Sequence, residues 1–169
     1  KILKDFSKQD IQPLLLQIKN LKTVFRTRLG VVHAVDGVSL NIHRGESLGI
    51  VGESGSGKTV TFASVMGLIR PPGLIESGSI IFNGLELVGL PKKVMRGLRG
   101  KSMAMTMQDA LTALNPAFTV GSQIVESLMT HDETIRTGLS SLRRARERAL
   151  EMMNLVGIPD AAKRFNDYP

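Results

Sequence analysis

The clearest chemistry in the chain lies in one run, Gly52-Glu53-Ser54-Gly55-Ser56-Gly57-Lys58-Thr59. The spacing G-x-x-x-x-G-K-[ST] is that of a loop cradling nucleotide phosphates, provided a strand precedes it and a helix follows. Each residue type has a physical reason. Gly52, Gly55 and Gly57 allow positive φ and bring bare N–H groups close to an anion. A helix starting at the loop adds unpaired first-turn amides and about half a positive charge at its N-terminus. Lys58 would reach the terminal phosphates as a point charge, and the Thr59 hydroxyl stands where it can ligate Mg²⁺. The candidate cofactor-binding set is therefore Gly52, Glu53, Ser54, Gly55, Ser56, Gly57, Lys58, Thr59 and Val60. Four fixed positions would coincide by chance in roughly one chain of this length in a hundred or fewer.

The flanks supply the context the loop needs. Ser47-Leu48-Gly49-Ile50-Val51 is a short apolar run that reads as a strand, and residues 60–69 read as a helix stopped by Arg70-Pro71-Pro72-Gly73. Upstream, residues 1–13 read as a loose leader and 14–24 as a strand with a turn at Lys19-Asn20. Residues 25–30 form a polar loop, 31–35 and 38–42 two extended runs, and His43-Arg44-Gly45-Glu46 a hairpin turn. Downstream, 78–82 is a strand closed by the tight-turn pair Asn83-Gly84. A short basic helix spans 91–98. A strand over 102–107 carries three Met residues that suit core packing. The spacing then predicts helices over 120–129 and 141–156, the second stopped by Gly157 and Pro159. The pattern passes from antiparallel β to alternating α/β to all-helical.

Composition narrows the function classes. With 169 residues and 42% hydrophobic content the chain can bury a sizeable core. It has no Cys, hence no disulfide frame, thiolate metal site or Cys nucleophile. No apolar run nears the roughly 20 residues that span a bilayer. The net charge is +7, but aromatic residues are 4%, too few for a base-stacking platform. The basic residues fall in two separate clusters, so no nucleic-acid partner is expected; solvated helix faces or an acidic partner or membrane surface suit them better. The chain starts without Met and stops at Tyr168-Pro169, which reads as a piece of a longer protein.

With these stretches in view, the chain resembles the ATP-binding subunits of ABC transporters, and within them the branch that imports oligopeptides and dipeptides. The carrying residues are Ala34-Val35-Asp36-Gly37-Val38-Ser39, 49–59, Met66-Gly67-Leu68-Ile69, Gln108-Asp109, Leu114-Asn115-Pro116 and Val156-Gly157-Ile158-Pro159. The resemblance implies an α/β P-loop NTPase fold: an antiparallel β subdomain over 14–51, a RecA-like core with phosphate loop and Q-loop over 52–119, and a helical subdomain over 120–169. It implies that the phosphate loop is a Walker A loop binding ATP and Mg²⁺. Gln108 would be the Q-loop glutamine, a catalytic and metal-contacting residue beside Lys58. It also implies transmembrane permease subunits, a second ATP-binding subunit, a solute-binding protein acting indirectly, and a peripheral place on the cytoplasmic face of the membrane. The surface over 108–130 would dock the membrane partner.

Departures from the family pattern stand beside these matches. Met107 replaces a usual Phe, and Ala110-Leu111 a common Pro-Met. Phe25 is the aromatic in the loop that would stack adenine, but strict spacing from Lys58 falls on Leu29, and a packed core Phe explains Phe25 equally well. The signature, the Walker B carboxylates and the switch histidine would follow Pro169, so this chain alone is expected not to hydrolyse ATP. The strands at 47–51 and 102–107 are expected not to be neighbours, leaving a gap in the sheet, with 47–51 free to pair antiparallel to 38–42. Two other readings remain: a soluble P-loop protein such as a nucleotide kinase or GTPase, and a nucleotide-binding module without catalysis. Against the first stand the antiparallel prelude and the lack of a guanine-reading Asn-Lys-x-Asp run.

Overall fold

The computed structural model describes residues 13–106, 113–138 and 140–169. The chain forms two compact units, Lys1–Gly97 and Leu98–Pro169, taken here one at a time.

The first unit is an antiparallel sheet with one helix against it. Its strands are β1 (Leu14–Thr27), β2 (Gly30–His43), β3 (Gly73–Phe82) and β4 (Leu85–Glu86), in the order β2-β1-β3-β4. Helix α1 (Lys58–Val65) follows the phosphate loop, and α2 (Lys92–Leu98) ends at the unit boundary. β1 is central and supplies the core side chains Leu16, Ile18, Leu21 and Val24, joined by Val35 and Ile80. Their spacing shifts parity because β1 is bulged, not broken. Asn20, at φ 46°, is the extra residue. Lys19 pairs with Ser79 and Lys22 with Ser77, so Asn20 and Leu21 together oppose Gly78. A Cβ on Gly78 would lie 2.6 Å from the Asn20 carbonyl oxygen. On the other side, the Asn20 N–H donates to Ser39 Oγ at 2.8 Å.

Several expectations change accordingly. Lys19-Asn20 is a bulge inside one long strand, because both neighbouring strands pair across it. Phe25 to Thr27 continue that strand, and the connection shrinks to the two-residue turn Arg28-Leu29, capped by the Thr27 hydroxyl donating to the Gly30 carbonyl at 2.8 Å. The two runs 31–35 and 38–42 are one strand, bulged at Asp36-Gly37, where Lys22 Nζ meets Asp36 at 2.8 Å. α1 starts at Lys58 and stops at Val65, before the prolines. Gly67, at φ 60°, is left-handed; its N–H donates to the Ser64 carbonyl at 3.0 Å and that of Leu68 to the Ala63 carbonyl at 2.8 Å. That is a Schellman stop, which needs glycine rather than proline. β3 begins at Gly73 rather than Gly78.

Residues 47–51 form no strand and do not pair with 38–42, so β2 pairs with β1 alone and stays the edge strand of the sheet. An apolar run has strand propensity, but a ladder needs a partner, and among the described residues 47–51 have none. Leu48, Ile50 and Val51 are exposed, Val51 at 98%. Of 102–106, only Met103 is bridged, in parallel to Arg99. Neither segment joins a sheet among the described residues.

The second unit is helical: α3 (Val120–His131), α4 (Glu133–Arg136), α5 (Ser141–Leu155) and α6 (Ala161–Arg164). α3 runs one half-turn beyond the predicted 129. α5 ends as expected at Gly157, φ 77°, again with a Schellman pair: Gly157 N–H to Asn154 carbonyl at 3.0 Å and Ile158 N–H to Met153 carbonyl at 3.0 Å. Ala149, Met153, Ala161 and Phe165 make the core, with Ile124, Val125 and Leu128 packed on it.

Candidate functional site

The phosphate-loop residues are organised by the start of α1. Gly57 is its N-cap, at φ 86° and ψ 0°, and no side chain caps the helix. The first intrahelical bond is Thr61 N–H to the Gly57 carbonyl at 2.8 Å. The amides of Lys58, Thr59 and Val60 precede that bond and have no acceptor within the helix. In one helix of the helical unit, α3, the same groups are claimed. At α3, Val120 N–H donates to the Asp167 carbonyl at 2.9 Å and Gly121 N–H to the Phe165 carbonyl at 2.8 Å. The Thr119 hydroxyl accepts from Ser122 N–H at 3.3 Å. Helix α3 is sealed against an anion; α1 presents its amides.

Lys58 lies along the loop. Its ammonium donates to the Gly52 carbonyl at 2.7 Å, the Glu53 carbonyl at 2.7 Å and Ser56 Oγ at 3.0 Å. These bonds draw the charge over the concave side of the turn that Ser56 N–H and the Glu53 carbonyl close at 3.2 Å. The glycines make this packing possible. A Cβ on Gly52 would stand 2.8 Å from Ser56 Oγ and 3.7 Å from Lys58 Nζ. A Cβ on Gly57 would stand 2.4 Å from the Ala34 carbonyl oxygen of β2. Gly55, at φ 83°, has open space around it, so only its backbone angle asks for glycine.

The loop is anchored from beneath. α1 buries Thr61, Ser64 and Val65. Ser64 Oγ–H donates to the Val60 carbonyl at 2.8 Å, so in its 2.9 Å contact with Thr23 of β1 the Thr23 hydroxyl is the donor. Upstream, Glu46 accepts from His43 N–H at 2.6 Å and lies 3.1 Å from His43 Nδ1. The His43 backbone bond first, and its side chain second, hold the Glu46 carboxyl below its usual range.

The donor set fits a polyphosphate: a lysine, uncapped helix amides and a cradle that side chains at Gly52 and Gly57 would fill. It also fits a magnesium ion held in part by that polyphosphate. Thr59 is exposed, and among the described residues none bonds its hydroxyl. No group of three or more His, Cys, Asp or Glu that could hold a metal occurs among the described residues. Mg²⁺ is usually held by few protein ligands plus phosphates and water, so a single hydroxyl suffices as the protein's share.

The remaining sequence candidates are placed differently. Gln108 lies outside the described residues, as do Met107, Asp109, Ala110, Leu111 and Thr112. Phe25 is half-buried and faces Gly73 across the β1–β3 pair; a Cβ on Gly73 would come within 2.6 Å of its ring. Leu29 is fully exposed at the hairpin tip. The arginines of α5 are engaged: Arg143 with Glu147 at 2.9 Å, Arg148 with Glu151 at 2.7 Å, and Arg146 over the Phe165 ring at 4.6 Å. Arg144 donates to the Thr137 carbonyl. One residue escaped the sequence reading. Gln123 of α3 clamps the Leu-Asn-Pro turn, accepting from Asn115 N–H at 2.8 Å and donating to the Asn115 and Phe118 carbonyls at 2.9 and 3.0 Å. Only the i to i+8 distance from Asn115 could have hinted at it.

Known proteins resemble this chain over most of its length. A family described as ABC transporter matches residues 35–169. The oligopeptide transport ATP-binding protein OppD of Bacillus subtilis is 46% identical over 156 residues, 92% of this chain and 42% of its own length. The dipeptide transport ATP-binding protein DppD of the same organism is 44% identical over 92% of this chain and 45% of its own length. The chain thus spans less than half the length of these relatives. Among solved structures, the ATP-binding cassette MJ0796, as a dimer in a post-hydrolysis state bound to ADP and Pi, superposes with a TM-score of 0.77 at 21% identity, over 92% of this chain and 62% of that one. That likeness shows the fold.

Proposed function

The chain belongs to the ABC transporter family, and from that premise we propose that it is the nucleotide-binding part of an ATP-binding subunit energising import of peptides or similar small solutes. The observation that carries the reading is the phosphate loop: uncapped α1 amides and the Lys58 ammonium converge on a glycine cradle. Gly52 to Thr59 and the Val60 amide would hold the phosphates of ATP, with Lys58 as the cation. Mg²⁺, when bound, would neutralise charge on the phosphate oxygens; Thr59 and Gln108 are the residues offered to it. Phe25, only half-buried, is the aromatic offered to the adenine. Transfer of the terminal phosphoryl depends mainly on positioning and charge stabilisation, and Lys58 and Gln108 are the groups of this chain suited to that.

The peptide branch is favoured by the names of the relatives, which are oligopeptide and dipeptide transport ATP-binding proteins. The domain plan goes with it: a leader over 1–13, then an ATP-binding domain with a β region over 14–51, a core over 52–119 and a helical subdomain over 120–169. Permease subunits, a second ATP-binding subunit and, indirectly, a solute-binding protein are the partners, at the cytoplasmic face of the membrane. Among the described residues no helix is long and apolar enough to cross a membrane. Docking would use the face around Ser122 and the clamped turn at Asn115.

The test is a thermal melt with and without Mg²⁺-ATP. At a hundred times its dissociation constant ATP should stabilise the protein by about 2.7 kcal/mol, and Lys58→Ala should lose that shift. Equal shifts in wild type and Lys58→Ala would reject the site.

A further inference from the structure

An ammonium has three N–H donors, and Lys58 commits all of them inside the loop: to the Gly52 carbonyl, the Glu53 carbonyl and Ser56 Oγ. A phosphate oxygen that is to receive an N–H from Lys58 must therefore replace one of these three acceptors. They are not equivalent. The two carbonyls are backbone groups at 2.7 Å, fixed by the path of the loop. Ser56 Oγ is more distant at 3.0 Å and belongs to a side chain that turns about a single bond. Its approach to Lys58 also depends on Gly52, where a Cβ would stand 2.8 Å from that oxygen.

We propose that Ser56 is a positioning residue whose hydroxyl oxygen is the exchangeable partner of Lys58. It aims the ammonium across the loop, then releases one Lys58 N–H to an incoming phosphate oxygen while the two carbonyls keep their hold. The proposal rests on the phosphate-binding reading and adds a role for a position the motif leaves free, the residue before its second fixed glycine. It also fixes a sign. Because the Ser56 bond competes with the phosphate bond for the same donor, deleting the hydroxyl should strengthen nucleotide binding rather than weaken it. The loop is exposed at Ser56, so water takes over part of the lost bond and the gain is modest.

The experiment is calorimetric titration of the purified protein with Mg²⁺-ATP, for wild type, Ser56→Ala, Ser56→Thr and Lys58→Ala. Ser56→Ala should tighten binding roughly two- to tenfold, the worth of one net hydrogen bond. Ser56→Thr keeps the oxygen and should lack the gain seen in Ser56→Ala. Should Ser56→Ala not fold, Ser56→Cys, with a weak sulfur acceptor, should tighten binding in the same direction. A merely structural serine would give the opposite pattern, with affinity falling together with the melting temperature. Unchanged or weakened binding in Ser56→Ala (or in Ser56→Cys as its substitute), with wild type still bound in a Lys58-dependent way, overturns this proposal alone. Binding that is the same in wild type and Lys58→Ala overturns the phosphate site itself and this proposal with it.

Discussion

Gly57→Ala separates backbone strain from steric exclusion. The residue is the N-cap of α1 at φ 86°, where an L side chain costs about 1–2 kcal/mol. Its new methyl would stand 2.4 Å from the Ala34 carbonyl oxygen, a main-chain atom of β2 between the Val35–Thr23 and His33–Val24 pairs, so relief needs a shift of the backbone. Overpacking against such a neighbour costs about 1–3 kcal/mol more, so the total is about 2–5 kcal/mol. At about 2–4 °C per kcal/mol for a chain of this size, the melting temperature should fall by about 4–20 °C. Gly55→Ala is the internal control. It has nearly the same angle, φ 83°, but nothing within 4 Å of its added carbon. Only the first cost applies, about 1–2 kcal/mol, or about 2–8 °C. The assay is a pair of scanning-fluorimetry melts confirmed by urea unfolding. Equal losses in the two variants, or a Gly57→Ala protein that melts like wild type, would show that Ala34 does not bound this turn.

Two further expectations concern the framework under the loop. Ser64→Ala leaves the buried Thr23 hydroxyl with a hydrogen and no acceptor, and should cost about 1–3 kcal/mol in urea melts. Thr23→Val deletes the same 2.9 Å bond but leaves Ser64 donating to Val60, and should cost only about 0.5–1.5 kcal/mol; the reverse ranking would mean the donor is misassigned. In Glu86, burial pushes the carboxyl up but is outweighed by bonds from the Ser79 hydroxyl and the Ile80, Val88 and Leu87 amides, so its pKa lies below the usual 4.5. A depressed carboxyl stabilises the fold above its unfolded pKa, and that contribution fades as pH falls through the lower folded value. Melts in acid should therefore weaken below pH 4.5, and Glu86→Gln should lessen that loss; an unchanged acid slope would count against it.

What was legible in the sequence was whatever depends on residue type at fixed local spacing. The phosphate loop, the Asn83-Gly84 turn and the Gly157 stop belong here, since each needs a particular backbone angle that one or two residues declare. Features set by a distant partner were not legible. Asn20 reads as a turn residue because a bulge uses the same left-handed angle; only Ser39 and Gly78, from two other strands, make it a bulge. Residues 47–51 have strand composition, but pairing is decided by what lies alongside. The helix stop at Gly67 was hidden by the louder Pro71-Pro72 just after it. Gln123 looked like any exposed helical glutamine until the fold brought Asn115 beneath it.

The sealing of α3 has a consequence for how the chain is made. The acceptors for the Val120 and Gly121 amides are the carbonyls of Asp167 and Phe165, and a Cβ on Gly121 would lie 2.3 Å from the Phe165 ring. At about 5–20 residues per second, synthesis reaches those acceptors about 2–9 s after it passes α3's first turn. Until then the start of α3 can only fray, with its glycine surface bare. The first turn of α3 is thus completed by a segment made well after it, and a ribosome pausing between the two would hold an unfinished, exposed helix end within reach of chaperones and proteases.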